Sequence, residues 1–234
     1  MRVVIAHAAW APERVASLAR LRSRLYGDAE VFRSSRPEHS QVWERRVWES
    51  IERGGEPVVK LEDAVDVCPG FLEACEVVAE LARGESVSLH LQAPEAATVP
   101  GHWTRCYWLS GSACIVTPEL ARSVLDYASS LPWHVVSQWP WDNLTMHWAY
   151  RNRHPFLACL PSLARRDTSV PSTTPGCDDH PHRVPPICAA ESDRIPDPAW
   201  WGPPDRAPLV QNPWRSLEDL ERNAAEIARG EIAR

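Results

Sequence analysis

The first 85 residues alternate between short β-branched runs and helical periodicities, and that rhythm limits the fold more than any other feature of the chain. Arg2 to His7 is a compact apolar run of buried-strand type. Pro12 opens a helix in which Val15, Leu18, Leu21 and Leu25 recur at helical spacing until Tyr26-Gly27 ends it. Glu30 to Arg33 predicts a second strand. Ser40 to Arg53 predicts a second helix, with Val42, Trp43, Val47 and Ile51 on one face and Gly54-Gly55 as its stop. Pro57 to Leu61 reads as a third strand, and Phe71 to Arg83 as a third helix ended by Gly84. Three strand–helix repeats are the pattern of a parallel sheet covered by helices on both faces. Such sheets place ligands at the carboxyl ends of their strands, here at His7, Arg33 to Arg36 and Glu62-Asp63.

Beyond residue 85 the rhythm loosens. Val87 to Leu91 and Arg105 to Leu109 predict strands. Ser110-Gly111-Ser112-Ala113 is a turn leading into apolar Cys114 to Val116 and a helix from Pro118 to about Ser129. A stretch with Trp133, Trp139, Trp141 and Trp148 follows, then an apolar strand over Phe156 to Leu160. Eleven of the 22 prolines fall between residues 171 and 213 with almost no apolar periodicity, which predicts an extended, wrapping segment. Ser216 with Asp219 opens a last helix striped by Leu217, Leu220, Ala224 and Ile227, with Gly230 as its stop. The expected organisation is one α/β domain over 1–170, a proline-rich segment over 171–215 and an amphipathic helix over 216–234.

Composition narrows the class. A chain of 234 residues with 44% apolar and 24% charged residues fits a globular domain with appendages, not a disordered or fibrous chain. No apolar run approaches the roughly 18 residues a membrane span needs, and the apolar start is too short for a signal peptide. A soluble, cytoplasmic protein is the expectation. A net charge of −6 argues against a surface that coats nucleic acid, while leaving room for a local basic groove. Lys60 is the single lysine beside 24 arginines. Arginine's planar fork suits bidentate phosphate contacts, and a GC-rich genome yields the same bias. Seven cysteines is an odd number, and five lie in apolar stretches, as core thiols in a reducing compartment do.

The stretch Val58-Val59-Lys60-Leu61-Glu62-Asp63-Ala64-Val65-Asp66-Val67-Cys68-Pro69-Gly70-Phe71 carries the most chemistry. An apolar strand running into carboxylates would let Mg²⁺ or Mn²⁺ bridge them to a diphosphate; a solvated acidic strand end has the same composition. Leu61-Glu62-Asp63 followed by Pro69-Gly70-Phe71 resembles the acidic region of GT-A glycosyltransferases, in the Leu-Glu/Gln-Asp-Asp form of lipopolysaccharide-type and phage-encoded enzymes. Trp43-Glu44-Arg45-Arg46 resembles the family's helix before the acidic strand. Gly111-Ser112-Ala113 resembles its Gly-x-Ala strand, Trp139-Pro140-Trp141-Asp142 its acceptor-side segment, and Pro161-Ser162-Leu163 its closing element. The likeness spans roughly residues 2 to 170.

It implies a GT-A-like, Rossmann-like domain with a mixed, mainly parallel sheet that moves a sugar from a nucleotide-sugar donor to a hydroxyl acceptor. The acceptor would be a glycan, a small molecule or a hydroxymethylated base in phage DNA. His7, Arg14, Arg36, Trp43, Arg46, Glu62, Asp63, Gly111, Ser112, Arg165 and Arg166 would hold the donor, Trp139 and Trp141 would face the acceptor, and Asp142 would be the base, with Asp63 beside it. Two positions depart from the family: Ala64 stands where it has a second aspartate, and Arg165 or Arg166 where a metal-binding histidine often lies. Three readings follow. Arg165 and Arg166 stabilise the leaving diphosphate without metal; or Asp63, Asp66 and His180 rebuild a metal site; or the protein binds without turnover.

Cys177, His180, His182 and Cys188 supply zinc-type donors in a spacing that matches no finger pattern. A zinc-stabilised interaction protein, a polar loop, and a loop returning His180 or His182 to the active site all fit. No Walker-type loop, Gly-x-Gly-x-x-Gly or Gly-x-Ser-x-Gly is present.

Overall fold

The computed structural model describes residues 1–26, 29–35, 40–90, 103–171, 196–197, 201–210 and 216–230. Its first half follows the sequence rhythm. Strand β1 (Arg2–Ala8) leads to α1 (Pro12–Arg24), β2 (Glu30–Ser34) to α2 (Ser40–Gly54), and β3 (Val58–Glu62) through short β4 (Val65–Val67) to α3 (Phe71–Leu81). Then follow β5 (Val87–Ser88), β6 (Trp103–Cys106), β7 (Ala113–Val116), α4 (Pro118–Ser130), α5 (Trp133–Val136), α6 (Trp141–Asn152), β8 (Phe156–Cys159), β9 (Ala164–Arg166) and α7 (Leu217–Arg229).

The described strands form a seven-stranded mixed sheet in the order β2-β1-β3-β7-β5-β8-β6, and a separate β4-β9 pair. β1 runs parallel to β2 and β3, and β5 parallel to β8, whereas β7 and β6 run against their neighbours. Five of the seven strands therefore point one way. The arrangement is α/β and compatible with a Rossmann-like fold. Among the described residues no helix is long and apolar enough to cross a membrane.

Strand alternation builds two cores. Val3, Ile5, Val59 and Leu61 pack with Leu18, Leu21, Phe71 and Val78 from α1 and α3. Val4, Ala6, Val58 and Val116 pack on the other face with Val47, Ile51, Val124 and Leu144 from α2, α4 and α6.

The Trp-rich stretch contains α5 and α6, neither of which the sequence reading separated. Helix α6 buries Trp141, Asn143, Leu144, Thr145, Met146, His147 and Ala149, and the polar residues among them blur its hydrophobic period. Of the strand expected at Val87 to Leu91, Val87–Ser88 is strand and Leu91 lies outside the described residues, and the strand expected at Arg105 to Leu109 lies earlier, at Trp103–Cys106. β4 and β9 are too short for alternation to show.

Most of 171–215 lies outside the described residues. Within it, Trp201 is buried, and residues 208 to 210 bind the free edge of β6: Arg105 N–H donates to the Pro208 carbonyl and Val210 N–H to the Arg105 carbonyl, each at 2.8 Å. The last helix has the capping box expected at Ser216 and Asp219, and Gly230 at its end takes φ 70°, where a Cβ would be strained. Leu220 and Ile227 enter the second core, and Trp139 donates its indole N–H to Asn223 at 2.7 Å.

Beneath α7, His147 is buried with its Nδ1 2.7 Å from the Tyr127 hydroxyl. Burial, and then the Arg151 charge, holds its imidazole below the ordinary histidine value, against the pull of Glu221. The unfolded chain takes up a proton near about 6.5 that folded His147 refuses, so stability is complete above that pH and falls as pH drops through it. The melting temperature should decline between about pH 8 and pH 5.5, and less steeply in His147→Gln.

Candidate active site

Alternation along β3 turns Val58, Lys60 and Glu62 toward α2 and α6, opposite Val59 and Leu61. Lys60 is 1% exposed. Its Nζ donates to Glu44 Oε1 of α2 at 3.2 Å and to the Gly111 carbonyl at 2.8 Å. The sequence reading assigned neither Lys60 nor Glu44 a role at the site. The available signal was a lone lysine inside an otherwise apolar strand.

Because β7 runs against β3, with Ala113 opposite Leu61, its leading turn lands at the carboxyl end of β3. Glu62 N–H donates to the Ser112 carbonyl at 2.8 Å, and Ser112 Oγ donates to Glu62 Oε2 at 3.1 Å. Arg166 Nη1 stands 3.7 Å from the same Oε2. A Cβ added at Gly111 would lie 3.6 Å from Asp142 Cβ and 3.9 Å from Glu62 Oε1. The bare glycine thus sits between the two acidic side chains.

Charge follows geometry. Burial by itself would raise the Glu62 carboxyl; Lys60, Arg166 and Arg14, with the Ser112 hydroxyl, outweigh it and leave the pKa below the ordinary value. Glu44 moves the other way. Burial raises it, Lys60 opposes that, and Glu62 and Asp142 add to the rise. Burial depresses the Lys60 ammonium, but Glu44, Cys114 and Glu62 more than restore it, and the net shift is upward.

Asp63 is 1% exposed, and both its oxygens are engaged. Oδ2 accepts the Ala8 N–H at 2.9 Å and lies 2.7 Å from His7 Nδ1; Oδ1 accepts Arg14 Nη1 at 2.5 Å. Arg14 Nη2 continues to the Pro171 carbonyl at 2.6 Å. Asp63 thereby ties the β1–α1 turn and the chain after β9 to the end of β3. Across the β4-β9 pair, Asp66 stands opposite Arg165, with Oδ2 and Nη2 3.6 Å apart.

Among the described residues the acidic side chains Glu62, Asp63 and Asp66 of this edge already face cations. Asp63 is saturated by nitrogen donors, and arginines stand against Glu62 and Asp66. Among the described residues no group of three His, Cys, Asp or Glu side chains is placed to share a metal. His180 lies outside the described residues, as do Cys177, His182, Cys188 and Arg36.

The structure thus brings His7, Arg14, Glu62, Asp63, Gly111, Ser112, Asp142, Arg165 and Arg166 to one edge of the sheet. Trp43 is half-buried and packs on the second core, while Arg46 on the same helix is exposed. Trp139 is buried against α7, and Trp141 stacks on Trp48 with ring centroids 5.5 Å apart. Both are core side chains, and Asp142 is half-buried beside them. No family model matches the chain, and no curated protein matches it.

Neutralising Asp63 leaves Arg14 buried without its counter-charge. Asp63→Asn is expected to cost about 3–5 kcal/mol, read from urea unfolding.

Proposed function

We propose that this chain is a glycosyltransferase of GT-A type that moves a sugar from a nucleotide-sugar donor to a hydroxyl acceptor without a resident metal. The observation that carries the reading is the bare Gly111 between Glu62 and Asp142, with Arg166 standing against Glu62. The site lies where an α/β sheet takes its ligands, at the carboxyl ends of β1 and β3. It is also where the GT-A resemblance puts the donor.

In the proposed reaction the β1–α1 turn, held by Asp63, receives the nucleotide. Asp142 takes the proton of the acceptor hydroxyl as its oxygen bonds to the sugar's anomeric carbon. The bond from that carbon to the diphosphate breaks, and the diphosphate leaves as an anion. Arg165 and Arg166 supply the positive charge that a metal would otherwise bring. Arg166 stands against Glu62 and Arg165 against Asp66 of the β4-β9 pair, which supports the metal-independent form over a rebuilt metal site. The acidic net charge supports a glycan or small-molecule acceptor over DNA.

The test is transfer or hydrolysis of a panel of nucleotide sugars with and without EDTA. Turnover should persist in the chelator, and Asp142→Asn should lower kcat by about 10²–10⁴ while donor binding survives. A protein that binds a donor without consuming it is a silent binding module. One that binds no nucleotide sugar at all removes the reading.

A further inference from the structure

Lys60 is hard to explain as a fold element. It occupies a strand between apolar neighbours, 1% exposed, where a methionine or leucine would pack without desolvation. Its partner Glu44 is 6% exposed, and Glu44 Oε2 has no hydrogen-bond partner among the described residues. Replacing a buried ion pair by apolar side chains of similar volume is often neutral or stabilising, so the pair is weak as a source of stability. What distinguishes this pair is its third contact. The ammonium also holds the Gly111 carbonyl at 2.8 Å, and the next residue of that turn holds Glu62 through two bonds, the Ser112 carbonyl to the Glu62 amide and the Ser112 hydroxyl to its carboxylate.

The geometry points to Lys60 and Glu44 as a positioning pair: α2 fixes the ammonium through Glu44, the ammonium fixes the Ser110–Ser112 turn from below, and the turn fixes the Glu62 carboxylate beside Asp142. The pair touches no substrate and acts through the turn. Its use in transfer rests on the proposed glycosyltransferase activity; its hold on the turn does not. An apolar side chain at 60 would remove the contact with the Gly111 carbonyl and leave the turn with the Ser110 N–H on Ser88 Oγ, the Ser110 hydroxyl accepting Ala113 N–H, and the two Ser112 bonds to Glu62.

The informative variant removes both charges. Lys60→Met alone strands the Glu44 carboxylate in the core, so the comparison is the double variant Lys60→Met/Glu44→Leu, with Glu44→Gln as the conservative change that keeps an acceptor for Nζ. Hydrogen exchange reads the turn directly. The Glu62 amide, which donates to Ser112, should exchange about ten- to hundred-fold faster in the double variant, the worth of one charge-assisted hydrogen bond. The amides of β1 should exchange as in the wild type. Glu44→Gln should leave the Glu62 amide close to wild type. Unchanged exchange at Glu62 in the double variant overturns the proposal, as does a double variant that cannot fold, since the pair would then be a core element. Turnover of a nucleotide sugar reads the consequence. In the double variant kcat should fall with KM for the donor held, whereas full kcat alongside accelerated exchange overturns the positioning role. A wild-type protein that binds no nucleotide sugar, with exchange at Glu62 still accelerated, instead removes the transferase reading and leaves the hold on the turn supported.

Discussion

Burying a carboxylate costs several kcal/mol unless a cation or hydrogen-bond donors face it, and this molecule gathers five acidic side chains at one sheet edge. The arrangement is tolerable because positive charge is matched to four of them. Glu44 has Lys60, Asp63 has Arg14, Asp66 has Arg165, and Glu62 lies within reach of Arg166 and the field of Lys60. Asp142, at the start of α6, is the fifth. The fold and the site are therefore one electrostatic problem, since Lys60 and Arg166, which face the buried edge, also hold the Glu62 carboxyl below its ordinary value.

Two antiparallel returns assemble this edge. β7 comes back along β3 and delivers Gly111 and Ser112 to Glu62; β9 comes back along β4 and delivers Arg165 and Arg166. Each return joins residues far apart in the chain, and each ends at the same rim as β1. Arg14 closes the circuit by linking Asp63 to Pro171, 157 residues away in sequence.

Much of the fold was legible in the sequence, because strand and helix periodicities are local. The spacing of Leu18, Leu21 and Leu25, the capping box at Ser216 and the acidic end of β3 appear where their patterns put them. Where local pattern was weak, the reading fell short. Helix α6 buries polar Asn143, Thr145 and His147 along with its apolar residues, which blurs its period, and β4 and β9 are three residues each. The site was half legible. Glu62, Asp63 and Asp142 stood out as acids at strand or helix ends, but Lys60 and Glu44 belong to elements whose contact no local rule announces.

The amino-acid sequence by itself determined the strand–helix repeats of the first half, the two-faced sheet they build and the acids at the end of β3, since these follow from side-chain period and end signals. Tertiary structure alone decided which acid meets which base. Asp63 became a saturated anchor, Glu62 the carboxylate beside Gly111, Lys60 a buried cation, and Trp139 and Trp141 core side chains. Those outcomes depend on strand direction and long-range register, which set the distances over which charges pair and have no counterpart in the spacing of neighbours along the chain.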